Sequence, residues 1–78
     1  MTPQVRLLEL IDRFLAGRDR SMRLVNEIED ILVVDFMDTD VFETLTEAVS
    51  LYRPGAGAPY VSEDEMAEVL ASARGLLT

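Results

Sequence analysis

The sequence predicts an all-α protein, a compact bundle of four short helices forming one domain over residues 1–78. Three observations predict it. Apolar residues recur three and four apart in four separate stretches, which is the helical period. Helix-starting and helix-stopping residues bracket those stretches. The connections between them are short, so successive helices pack as neighbours.

The first helix is expected over about 3–16. Thr2 is placed to cap it, and Pro3 sits at the first helical position, where its missing N–H costs nothing. Leu7, Leu10, Ile11, Phe14 and Leu15 form the buried stripe. Arg6, Glu9 and Arg13 alternate in sign along the outer face, and Gly17 is the stop. Asp19 or Ser21 caps the second helix. Its stripe is Met22, Val25, Ile28 and Leu32, widened by Leu24 and Ile31, with Arg23, Asn26, Glu27 and Asp30 opposite. Two β-branched residues, Val33 and Val34, are poor helix formers. The helix is therefore expected to fray there and pass into a connection through Phe36 and Met37.

The third helix is expected to begin near Asp40 or Val41, with Asp40 and Glu43 at the spacing of a capping box. Phe42, Leu45, Val49 and Tyr52 form one face, with Val41 and Ala48 beside them. Arg53-Pro54-Gly55 ends it, and 53–59 is the one loop-like stretch. Ser62 and Glu65 form a capping box for a fourth helix over about 63–77, with Val61 and Met66 at staple positions. Met66, Val69, Leu70, Ala73 and Leu77 are its expected core residues.

Composition narrows function. There is no cysteine and no histidine. That removes disulfides, thiolate metal sites, the commonest general base and the usual pH switch. The net charge of −8 argues against nucleic acid, because phosphate contacts need a basic surface. No apolar run approaches the ~20 residues that span a bilayer, and acids stand too early for a secretory signal, so a cytoplasmic protein without a membrane role is expected. The charge is uneven. Residues 1–23 carry five arginines against three acids, a net of +2, and residues 24–68 carry one arginine against twelve acids, a net of −11.

The stretch "DFMDTDVFE", residues 35–43, packs four carboxylates into nine residues. It does not match a calcium loop, which needs a central glycine and a glutamate at its twelfth position. Paired carboxylates can hydrolyse glycosides, but only across a sugar-sized cleft, for which so small a bundle has little room. No enzyme activity, metal or cofactor is therefore expected. Capping and the helix dipole account for Asp38, Asp40 and Glu43. They do not account for Glu47, four residues after Glu43 with no basic neighbour, a pairing that costs ~0.2–0.5 kcal/mol in an isolated helix. Glu27, Asp30, Asp38, Asp40, Glu43 and Glu47 are read as a face for a basic partner, with Tyr52 as an aromatic anchor at its edge. The alternative is a solvated acidic surface.

Two families share this outline. Acyl carrier proteins are acidic four-helix domains, but they carry phosphopantetheine on a serine in an Asp-Ser-Leu type motif opening the second helix. Here Ser21-Met22 follows Arg20, and the first connection is short. The closer resemblance is to bacterial self-protective colicin-like immunity proteins. "LLELIDRFLAG" (7–17) resembles the opening of that family, and "DVFETLTEAVSLYRP" (40–54) and "VSEDEMAEVLASARGLL" (61–77) its third and fourth helices. Residues 22–39 depart from it, being aliphatic where the family is often aromatic-rich. The resemblance implies a helical antitoxin that binds a cognate bacterial toxin, often a nuclease with a basic active-site region. An acidic adaptor or homo-oligomeric module, in the simplest case a homodimer, is the competing expectation.

Overall fold

The computed structural model describes residues 2–78 as four α-helices, α1 (Pro3–Leu15), α2 (Met22–Asp35), α3 (Asp40–Leu51) and α4 (Glu63–Leu77). The sides of a square are α1–α2, α2–α3, α3–α4 and α4–α1, and the backbones of the diagonal pairs do not approach closely. Two short turns and the longer 52–62 connection reverse the chain, giving the up-down-up-down bundle expected of successive helices that pack as neighbours.

Every helix starts on a hydroxyl side chain. Thr2 accepts a hydrogen bond from the Val5 N–H, Ser21 from Leu24 and Ser62 from Glu65, and Glu65 accepts in return from the Ser62 N–H to complete the expected capping box. At α3 the expectation is corrected. The cap is Thr39, not Asp40. Its Oγ1 accepts from the Phe42 N–H at 3.1 Å and donates to the Phe36 carbonyl at 2.6 Å. One hydroxyl thus satisfies the end of α2 and the start of α3, a double role that a carboxylate cannot fill because it has no proton to donate. α1 stops in a Schellman motif. Gly17 takes φ +76°, its N–H bonds to the Phe14 carbonyl, and Arg18 N–H bonds to the Arg13 carbonyl.

The core is continuous and contains no polar or charged residue. Leu7, Leu10, Ile11 and Phe14 meet Leu24, Val25, Ile28 and Leu32 on one side, and Met66, Leu70, Ala73 and Leu77 on the other, with α3 adding Val41, Leu45, Ala48, Val49 and Tyr52. Met22 is not part of it. It lies two positions from Leu24, about 200° around the helix, and is exposed while Leu24 is buried. Val69 and Phe42 are half-buried flanks. Leu51 of α3 is half-buried.

α2 does not fray at Val33-Val34. It runs on to Asp35, and the Phe36 N–H still bonds to the Leu32 carbonyl at 3.0 Å. Leu32 is buried and Phe36 packs on the core, so tertiary anchoring on both sides outweighs a propensity cost of a few tenths of a kcal/mol per valine. Among the described residues there is no strand, only an isolated bridge between Tyr52 and Val61 that holds the 53–61 loop against the bundle. No helix is long and apolar enough to cross a membrane.

Candidate functional site

The charges sort by helix. α1 supplies one partner to each inter-residue ion pair among the described residues. Arg6 Nη2 meets Glu27 Oε2 of α2 at 3.2 Å, Arg13 meets Glu9 within α1 at 3.2 Å, and Arg74 of α4 meets Asp12 at 2.7 Å. Glu27, expected to stand unpaired on the recognition face, is therefore half-buried at the α1–α2 seam and bound to Arg6. Helical spacing alone could not reveal a partner twenty-one residues away.

α3 is different. It holds no basic residue, and Asp40, Glu43 and Glu47, three and four apart, form an exposed row with no ion-pair partner among the described residues. Asp38 precedes the row in the turn, exposed and at φ +68°, a left-handed conformation that aspartate tolerates better than most side chains. Asp30 is exposed one turn before the end of α2. The four carboxylates Asp38 to Glu47 are brought together. Asp30 lies on a different helix corner, and Glu27 is turned away to α1.

The row does not face α2 alone. Asp40, Thr44, Glu47 and Leu51 follow a 4-3-4 spacing and so share a stripe of α3. Glu47, Thr44 and Leu51 line a groove between α3 and α4, together with Ala48, Pro59, Val61, Glu65 and Val69. Glu65 of α4 thereby extends the acidic surface, and Glu68, also exposed, follows three residues later. The sequence reading gave Glu65 only its capping role and assigned Glu68 none.

Tyr52 is not an edge anchor. It is 1% exposed, caps the end of α3, and donates its hydroxyl hydrogen bond to the Arg20 carbonyl. Its helical phase, matching Leu45 and Val49, carries the ring inward. Burial holds its phenol above the ordinary range, with Glu63 adding to the shift. At the same end of the bundle, the hydroxyl and N–H of Ser21 hold Asp19 below the ordinary carboxylate range.

No group of three metal-ligating side chains converges among the described residues. Ser21 is exposed and its hydroxyl oxygen caps α2, with Arg20 and Arg23 on either side. No protein-family model, no curated protein and no solved structure matches the chain. The site thus rests on its own chemistry, an exposed acidic surface on α3 extended by Glu65 of α4.

Proposed function

We propose that the chain is a cytoplasmic immunity protein of the colicin-like type, which binds a cognate bacterial toxin through its acidic helical surface and blocks it. It acts by binding alone, with no catalysis, cofactor or metal of its own. The toxin is of nuclease type, and its basic active-site surface is the complement of the α3 row.

The observation that carries this reading is the one-sided pairing. Arg6, Arg13 and Arg74 are engaged with carboxylates at or beside α1, while Asp40, Glu43 and Glu47 have no basic neighbour. Among the described residues only Glu9, Asp12 and Glu27 are paired, so this row is left charged, and a like-charge pair at Glu43 and Glu47 works slightly against the helix. Such a surface steers a basic partner, speeds association and rejects acidic competitors.

The test is co-expression with the toxin. Glu43→Lys with Glu47→Lys is expected to stay folded, to slow association, to weaken its salt dependence and to restore toxicity. Full protection at an unchanged association rate would reduce the row to solvated surface. A second reading, an acidic adaptor or homo-oligomer, is favoured by exposed Val33, Val34, Met37 and Leu76, all at the end of the bundle where α2 and α4 finish. The neighbouring gene separates the two: a large secreted protein with a variable C-terminal domain supports immunity.

A further inference from the structure

We infer that the groove between α3 and α4 is the seat of a basic amphipathic helix of the partner. The inference rests on reading the α3 carboxylates as a recognition surface, but not on the partner being a toxin.

Two hollows lie along this groove. One, of about 350 Å³, is floored by Ala48, Leu51, Pro59, Val61 and Val69. The other, of about 320 Å³, lies where the groove opens at the end of the bundle, bounded by Val41, Leu76 and Leu77 and also by Gln4 of α1 and by Phe36 and Thr39 of the α2–α3 turn. From Ala48 to Val41, and equally from Val69 to Leu76, is seven residues, about 10.5 Å at the helical rise. Two apolar side chains seven apart on a docked helix have that same separation. Acids flank the hollows, Glu47 and Glu65 at one and Asp40 at the other, and no arginine lines either. Glu43 and Glu68 are exposed three residues after the lining residues Asp40 and Glu65.

This combination selects the occupant. Apolar floor and carboxylate rim are complementary to a helix with leucine-like anchors flanked by lysine or arginine, the helix-in-groove mode of recognition. A second copy fits badly, since a face-to-face dimer sets carboxylates against carboxylates. The chain's own arginines are largely occupied: Arg6, Arg13 and Arg74 in ion pairs, Arg20 on Phe14, and Arg53 on the Tyr52 carbonyl. An extended strand has no sheet edge to join among the described residues.

The probe is a synthetic amphipathic peptide with leucines two helical turns apart and lysines around them, titrated into isotope-labelled protein and followed by amide NMR. Shifts are expected along α3 and α4, at the residues lining the two hollows. Glu47→Lys with Glu68→Lys, neither a capping residue, should weaken binding about tenfold or more at low salt. Leu51→Ala should weaken it several-fold, with helicity by circular dichroism retained in both. A peptide of the same composition with its leucines scrambled should bind at least about tenfold more weakly. Shifts confined to α1 and α2, equal binding of the scrambled peptide, or a dimer closed through this groove in sedimentation would overturn the inference. If the peptide avoids the groove while Glu43→Lys with Glu47→Lys still abolishes toxin binding, the groove fails and the recognition surface stands. If the peptide seats there and that double variant protects fully, the groove stands and the toxin reading fails.

Discussion

Tyr52 Oη lies 2.6 Å from the Arg20 carbonyl oxygen and donates a hydrogen bond to it, tying the end of α3 to the turn between α1 and α2. Around this bond the Tyr52 ring meets Phe14 edge-on at 5.7 Å and 69°, and the Arg20 guanidinium stacks 5.1 Å from the Phe14 centroid on the Phe14 ring. The three residues come from α1, the first turn and α3, so they join parts of the chain that no helix–helix diagonal connects. Tyr52→Phe should keep the ring contact, lose the bond and cost about 1 kcal/mol. Tyr52→Ala should cost about 3–5 kcal/mol by opening a cavity. Urea unfolding at constant m-value measures both.

The same phenol predicts an alkaline limit. Its folded pKa is raised above the ordinary 10.0 by burial first and Glu63 second, against the opposing charge of Arg20. The unfolded chain therefore loses this proton before the folded one does. The phenol's contribution to stability is complete below the unfolded pKa and is lost as pH rises through the folded pKa. Urea midpoints should be flat up to about pH 9 and fall beyond about pH 10, and Tyr52→Phe should flatten the fall.

Thr39 rather than Asp40 caps α3, so their substitutions should differ. Thr39→Ala removes a bond at each end of the α2–α3 turn and should cost about 1–2 kcal/mol. Asp40→Asn removes only charge near the helix dipole and should cost less than about 1 kcal/mol. Equal losses in thermal unfolding would return the cap to Asp40.

Val34 is 77% exposed in the last turn of a regular helix. Val34→Ala should raise stability by a few tenths of a kcal/mol, since alanine keeps no stiff side chain against the preceding turn. A clear loss would mean that Val34 contacts something in solution.

Asp38 offers a way to remove a candidate carboxylate without harm to the fold. At φ +68° glycine is unstrained, so Asp38→Gly should leave stability equal or slightly higher. Asp38→Val should cost about 1–2 kcal/mol. Set against the parent in binding to the proposed partner, Asp38→Asn isolates the charge and Asp38→Gly adds the backbone change.

Helix number, order and core faces were legible because local spacing encodes them: Leu7 to Phe14 in α1, and Ser62 with Glu65 opening α4. The departures share a cause. Val33 and Val34 stay helical because Leu32 and Phe36 are anchored by other helices. Thr39 wins the cap because the Phe36 carbonyl lies within reach of its proton. Glu27 is neutralised by Arg6 from a different helix. Each is decided by the geometry of the folded chain, through another helix or through the α2–α3 turn, which side-chain spacing does not carry. The acidic row of α3 was legible as a run of carboxylates. Its continuation onto α4 was not, because the side of α3 on which α4 lies is a property of the assembled bundle.

The square arrangement bears on how the chain assembles in time. Three of its four helix contacts join successive helices and close only short loops, so they form early at little entropic cost. The fourth joins α1 to α4, where Arg74 meets Asp12 and the Gln4 side-chain amide donates to the Leu77 carbonyl. Refolding should accordingly be fast, in milliseconds or less, with seating of α4 on α1 as its late event. Leu77→Ala and Ala73→Gly should act mainly on the unfolding rate, whereas Leu45→Ala, in the middle of the local hairpins, should also slow folding.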